Sequence, residues 1–231
     1  MKQKIVILTG AGISAESGIS TFRDAGGLWE GYDINEVATP GGWNRNKELV
    51  LEFYNARRKN VREVKPNAAH YALKELEKKY NVVIITQNID DLHERAGSKN
   101  IIHLHGEIMK ARSSTNDDIL YELGDKDINL GDTCERGSQL RPHVVWFGEE
   151  VPMMEKAMHK VSEADILIVI GTSMAVYPAA GLVNFVPFYI PKYIIDPKIP
   201  SELHINNLVK IEKKAGEGVP ELVAKLMELK N

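Results

Sequence analysis

Apolar residues fall into three dense runs without polar alternation: Lys4 to Gly10 (KIVILTG), Asn81 to Gln87 (NVVIITQ) and Asp165 to Gly171 (DILIVIG). Runs this rich in Val and Ile that stop at a glycine or polar residue predict parallel strands buried on both faces. KYIIDP and LVKIEK predict shorter strands. Between them, the spacing predicts helices over Asn67 to Tyr80 and over the closing GVPELVAKLMELK, where Pro220 suits a first helical turn. Strands alternating with helices imply an α/β, doubly wound sheet whose ligand lies at the carboxyl ends of the strands. Two stretches break the rhythm: 33–65 is helical and aromatic, whereas 107–148 is polar, loop-rich and poor in apolar runs. They predict a small domain inserted in two pieces, leaving 1–32, 66–106 and 149–231 for the sheet domain.

Within the first insertion, Leu49 to Val64 (LVLEFYNARRKNVREV) reads as one helix with an apolar stripe of Val50, Tyr54, Val61 and Val64. Arg57, always charged, stands where the stripe should be completed. Helix statistics favour a packed stem at the edge of the stripe with the head in water. The alternative is that Tyr54 and Arg57, three residues apart on one face, hold an anion from outside.

The 231 residues suffice for one large domain carrying a smaller appendage. A net charge of −3 gives no reason to expect nucleic acid as partner, and the basic run Arg57, Arg58, Lys59, Arg62 is local. No stretch is long and apolar enough for a bilayer and no signal peptide is recognisable, so a cytoplasmic protein that avoids membranes is expected. A single cysteine, Cys134, excludes internal disulfides and any zinc site built from several thiolates.

TGAGISAESG directly follows the first strand and matches G-x-G-x-x-A at Gly10, Gly12 and Ala15. Such glycines allow a tight turn and close approach to a pyrophosphate, although a purely structural turn has the same pattern. A Rossmann-like dinucleotide fold then supplies an acidic residue after a second strand, about 20 residues on. Here the chain reads GISTFRDAGGLWEGYD, with Phe22, Arg23 and Trp29, and predicts a loop that folds over the cofactor. Gln87, Asn88, Ile89 and Asp90 follow the second strand, Gly171, Thr172 and Ser173 the third, and His105 and Gly106 lie in a further connection. Each polar cluster alone could cap a helix or shape a turn; capping explains less well why all share one sheet edge. His103 and His105 could be read as metal ligands, but no cysteine or carboxylate has suitable spacing nearby.

Taken in order, GAGISAESGISTFR, TQNIDDLHERAG, HLHGE, LRPHVVWFGE and GTSMAVYPAAGL resemble the sirtuin family of NAD-dependent protein lysine deacylases. The resemblance implies NAD as cofactor and acyl-lysine proteins or peptides as substrates. In that chemistry the acyl oxygen attacks the nicotinamide-bearing ribose carbon, nicotinamide leaves, and O-acyl-ADP-ribose and free lysine result. It implies His105 as the base, with Asn88 and Asp90 beside the ribose and carboxamide, Gln87 on the ribose and Phe22 shielding the reactive face. Ala11, Gly12, Arg23, Thr172 and Ser173 are implied at the pyrophosphate and adenosine ribose. Gly10, Ala15, Trp29, Ile89, Gly171, Asp196 and Ala215 complete the implied cofactor site, with Asp196 standing where the family commonly has asparagine. Val144 to Glu149 (VVWFGE) looks like the strand beside which a substrate peptide adds, giving contacts at Val145, Trp146, Phe147, Gly148 and Glu149.

Ser20 replaces the usual proline, a minor departure. The larger one is the family's zinc module of two C-x-x-C pairs, whose positions correspond to Ser113 with Asn116 and Thr133 with Arg136, while Cys134 is one place off register. No metal is expected; hydrogen bonds and apolar contacts are expected to hold this segment. Sirtuins that favour negatively charged acyl groups, the bacterial class III type, carry Tyr-x-x-Arg in the acyl channel, and Tyr54-Asn55-Ala56-Arg57 reproduces it. This reverses the statistical preference about Arg57 and implies desuccinylase and demalonylase activity with weaker deacetylation. The competing readings are a hydride-transferring dehydrogenase, a non-catalytic NAD or ADP-ribose module, and a protein ADP-ribosyltransferase. The oligomeric state is open, with a monomer expected.

Overall fold

The strand Lys4–Thr9 (β1) is buried along nearly its whole length because it is paired on both edges and covered on both faces. The computed structural model describes residues 2–21, 29, 31–172, 179–201 and 205–229. After β1 come three helices, Ile34–Val37 (α1), Pro40–Arg45 (α2) and Lys47–Glu63 (α3), capped by the side chains of Asp33, Thr39 and Asn46 respectively. Ala68–Leu76 (α4) begins at a capping box between Asn67 and His70 and dissolves into turns before Tyr80, so it is shorter than the spacing predicts. Then follow Asn81–Thr86 (β2), Leu92–Arg95 (α5), Ile101–His103 (β3), Gly106–Ser113 (β4), Leu120–Glu122 (β5) and Leu140–Val144 (β6). The chain continues through Met154–Ser162 (α6), Ile166–Ile170 (β7), Lys192–Ile195 (β8), Leu208–Ile211 (β9) and Ala215–Glu228 (α7).

Six strands form one parallel sheet in the order β3-β2-β1-β7-β8-β9. Alternate residues of β1 serve opposite faces. Ile5 and Ile7 pack with Leu73 and Leu76 of α4 and Val219 and Leu222 of α7. Val6 and Leu8 pack with Ala157 and Val161 of α6 and with Leu182. The winding reverses between β1 and β7, and this is where a doubly wound sheet opens a crevice at its carboxyl edge. In α7, Pro220 lies inside the helix instead of in its first turn, because the helix starts earlier, at Ala215.

The segment 107–148 is more ordered than its polar composition predicts. β5, β4 and β6 form an antiparallel sheet that packs with α3 around Phe53, Tyr54, Ile108, Ala111 and Trp146. Arg58, fully buried, donates from Nε to the carbonyl of Ile108 (2.8 Å) and from Nη1 to Asn55 (2.7 Å), tying α3 to β4. Val144–Glu149 is not a strand: β6 ends at Val144 and a turn follows. The Glu149 carboxylate folds back to accept the backbone N–H of Trp146 at 2.7 Å, which closes that turn.

Candidate functional site at the carboxyl edge of the sheet

The loops after β1 and β7 meet backbone to backbone. Gly10 N–H donates to Ile170 O (3.0 Å) and Gly12 N–H to Gly171 O (2.8 Å). A Cβ on Gly12 would lie 2.6 Å from the Cα of Gly171, so this approach requires glycine. Short 3-10 turns at Ala11–Ile13 and Ala15–Ser17 then carry the chain over the sheet edge. Ser14, between them, is buried and joins two strand ends: its Oγ donates to Asp90 Oδ2 (3.0 Å) and accepts from Asn88 Nδ2 (3.1 Å).

Asp90 also accepts the N–H of Leu92 at 3.1 Å, the first residue of α5. Burial nevertheless pushes its carboxyl above the usual range, because these hydrogen bonds only partly offset lost solvation. Gln87 Nε2 donates to Thr172 Oγ1 (3.1 Å), linking the ends of β2 and β7. The Nδ1 of His105 lies 3.0 Å from the Gln87 carbonyl oxygen, and burial lowers the pKa of the imidazole. His103 turns elsewhere, with Nε2 2.7 Å from Glu94 Oε1, so the two histidines do not converge on one point.

On the small-module side, Arg57 is only 7 % exposed, which removes the reading of a surface edge with a solvated head. Its guanidinium lies 4.2 Å from the centre of the Trp29 ring, a cation–π stack. Tyr54 is fully buried, its hydroxyl accepts from Trp146 Nε1 at 3.1 Å, and burial raises its pKa. Behind them, Glu149 is paired with Arg141 (2.7 Å) and Arg112 (3.3 Å). Phe147 N–H donates to Ala38 O (3.0 Å), and Gly148 takes φ +90° at the tip of the turn.

One cavity of about 730 Å³ is lined by Gly10, Ala11, Gly12, Ala15, Gln87, Asn88, Ile89, Asp90, His105, Gly171 and Thr172. Tyr54, Arg57, Trp29, Val145 to Glu149, Asp196 and Ala215 line the same cavity. The volume suits a cofactor with part of its substrate, since such sites span roughly 300–1,000 Å³. Trp29, expected among the cofactor residues, lies against Arg57 and Tyr54. Phe22, Arg23 and Ser173 lie outside the described residues.

Sequence reasoning passed over Ser14, although it lies inside the glycine motif, because its contacts are with residues more than 70 positions away. It also passed over Glu16, whose carboxylate accepts the N–H of Gly216 (2.7 Å), and over Lys198 and Lys214 in the cavity wall.

At the zinc-module positions, Ser113, Asn116, Thr133 and Arg136 offer hydroxyl, amide and guanidinium groups, a donor set that does not suit tetrahedral zinc. Polar contacts occupy the segment: Cys134 Sγ donates to Ser113 Oγ (3.5 Å), Thr115 Oγ1 to Ser138 Oγ (2.8 Å), and Cys134 N–H to Ser138 O (2.8 Å). Among the described residues, no group of three or more His, Cys, Asp or Glu is placed to hold a metal ion.

A Sir2 family model matches residues 10–178. An NAD-dependent protein deacylase of Helicobacter pylori strain J99 is 53% identical over 227 residues, covering 98% of this chain and 97% of the relative. One from Bacteroides thetaiotaomicron is 54% identical over 226 residues, covering 95% and 96%. A crystal structure of a Sir2 homologue in complex with NAD superposes with a TM-score of 0.87 at 41% identity, covering 98% of this chain and 90% of that one. Sir2Af2 bound to a myristoylated histone peptide gives 0.73 at 32% identity, covering 97% and 91%.

Proposed function

This chain belongs to the Sir2 family and is an NAD-dependent protein deacylase, and we propose that it prefers acyl groups ending in a carboxylate. Succinyl- and malonyl-lysine are then its better substrates, and acetyl-lysine is deacylated more slowly. The observation that carries this reading is a buried guanidinium, Arg57, beside the buried hydroxyl of Tyr54 in the wall of the cavity that also contains His105. A carboxylate entering such a channel loses water, and a bidentate arginine with one phenol donor replaces it. A neutral acyl group offers this end of the channel no charge, so it gains less on binding.

NAD supplies the ribose carbon that receives the acyl oxygen and the nicotinamide that departs. Gly10, Ala11, Gly12, Ala15, Gly171 and Thr172 fit the pyrophosphate, since their closely packed turns bring backbone to the cavity surface. Asp196 and Ala215, also in the cavity wall, would meet the adenosine, and Gln87, Asn88, Ile89 and Asp90 would meet the nicotinamide ribose. If His105 donates Nδ1–H to Gln87, its Nε2 carries the free electron pair and takes the proton of a ribose hydroxyl. Val145, Trp146, Phe147 and Gly148 line the cavity at the edge where an acyl-lysine peptide would add; the N–H groups of Val145, Trp146 and Phe147 are already bonded to His105 O, the Glu149 carboxylate and Ala38 O, which fixes this turn as a preformed wall for the peptide. Solved Sir2 structures with a deacetylated p53 peptide and a myristoylated histone peptide support peptide substrates for this chain. The reading includes a two-piece small domain, 33–65 and 107–148, and a monomer working in the cytoplasm without nucleic acid. Among the described residues, no helix is long and apolar enough to cross a membrane.

The test compares kcat/KM on succinyl-, malonyl- and acetyl-lysine forms of one peptide, for the wild type and Arg57→Met. The wild type should favour the acidic acyl groups, and Arg57→Met should lower that preference by about a hundredfold, as expected for losing a charge-assisted pair. Equal turnover by the wild type, or an unchanged ratio in the variant, would overturn the acyl preference. Mass gain of the protein substrate in place of acyl loss would indicate ADP-ribosyl transfer.

A further inference from the structure

The indole of Trp146 and the phenol of Tyr54 are both buried, and among the described residues each is the other's hydrogen-bond partner: Trp146 Nε1–H donates to Tyr54 Oη at 3.1 Å. A phenol hydrogen lies close to the ring plane and chooses between two directions. With an N–H aimed at one side of the oxygen, the Tyr54 hydrogen is repelled from that side and points away from Trp146. We propose that Trp146 is a positioning residue for acyl selection, fixing Tyr54 as a hydrogen-bond donor toward the part of the cavity that Arg57 lines.

Trp146 is itself held at both main chain and ring. Its backbone N–H is bound by Glu149 (2.7 Å), while the Arg141 guanidinium lies 3.2 Å from the ring centre and Trp43 packs against the indole at 5.7 Å. Glu149 in turn is fixed by Arg141 and Arg112. The donor is therefore oriented before any ligand arrives, and the cost of orienting Tyr54 is not charged to binding. The same turn, 146–149, forms part of the edge assigned to the peptide, so peptide seating and acyl reading share one rigid element.

This inference rests on the proposed preference for acidic acyl groups, and the experiment separates the two. Succinyl and acetyl forms of one peptide are compared for the wild type, Arg57→Met, Tyr54→Phe, Trp146→Phe and the double variant Tyr54→Phe with Trp146→Phe. Trp146→Phe should lower the succinyl-to-acetyl ratio of kcat/KM about fivefold, chiefly through KM for the succinyl peptide. In the Tyr54→Phe background the same change should leave the ratio where Tyr54→Phe puts it, because the oxygen to be oriented is gone. A protein carrying 3-benzothienylalanine at position 146, with sulfur in place of the N–H and ring volume kept, should reproduce the fivefold loss if Trp146→Phe does not fold. If Arg57→Met collapses the ratio but loss of the indole N–H does not move it, or moves it equally with and without the Tyr54 hydroxyl, the positioning role is wrong. If Arg57→Met leaves the ratio unchanged, the underlying acyl preference is wrong.

Discussion

The Nδ1 of His105 stands 3.0 Å from the carbonyl oxygen of Gln87, so the residue that follows β2 orients the base carried by the residue before β4. Burial lowers the His105 pKa below its usual 6.5, with the bond to Gln87 opposing this only in part. Only the neutral ring accepts a proton. The acid limb of kcat/KM against pH should therefore lie below 6.5, and His105→Ala should lose it together with at least about a thousandfold of activity. A limb above 6.5 assigned to His105 by NMR titration would contradict the geometry.

Gly106, at φ +79°, follows His105, and a Cβ there would sit 2.2 Å from the carbonyl oxygen of His143. Gly106→Ala combines a left-handed backbone with a clash against rigid sheet backbone. Its expected cost is about 3 kcal/mol or more, read as a lower denaturation midpoint. Because the strain falls beside His105, kcat should drop further than the fraction of unfolded protein explains.

His70 is fully buried, accepts the Asn67 N–H at its Nδ1 (3.3 Å), and packs edge-on to His93, their ring centres 5.0 Å apart. Burial lowers its pKa from 6.5 to about 4. The unfolded chain therefore binds a proton that the folded chain refuses. Stability is full above pH 6.5 and falls between 6.5 and 4, by about 3 kcal/mol for this group. His93, also held well below its usual value by burial, acts in the same direction. Urea midpoints measured from pH 7.5 to 4.5 should show the slope. His70→Gln keeps an acceptor for the capping box and should flatten it.

The Ser113, Thr115, Cys134 and Ser138 contacts predict that chelators leave the thermal midpoint unchanged. Ser113→Ala, which removes the acceptor for Cys134, should cost about 1 kcal/mol. Stoichiometric zinc by elemental analysis, or a fall in the midpoint with EDTA, would refute this account of the segment.

The strands β1, β2 and β7 were legible because a strand buried on both faces must be apolar throughout. β3 was not, being three residues long. The β4–β6 sheet was hidden by its own chemistry: Arg112, Ser113 and Arg141 are buried polar residues, and their polar side chains mask the apolar alternation of strands; Arg112 and Ser113 find Glu149 and Cys134 at separations of 37 and 21 residues. VVWFGE has strand composition, yet the carboxylate of Glu149 accepts from Trp146 and Arg141 and bends it into a turn. For the site, order and spacing of polar clusters at strand ends sufficed to bring His105, Asn88, Asp90 and Gly12 to one cavity. The Ser14 bridge and the Trp146–Tyr54 bond were not legible, since each depends on the packing of distant segments.

The central pairing of β1 with β7 has a consequence in time. Lys4 N–H binds Asp165 Oδ2 across 161 residues, and Ile5 stands opposite Ile166. Closing so long a loop is slow and must precede the contact of Gly12 with Gly171. A chain emerging from the ribosome therefore completes its phosphate-binding turns only after β7 has been synthesised, and a prematurely released fragment lacking it has no place to hold the dinucleotide.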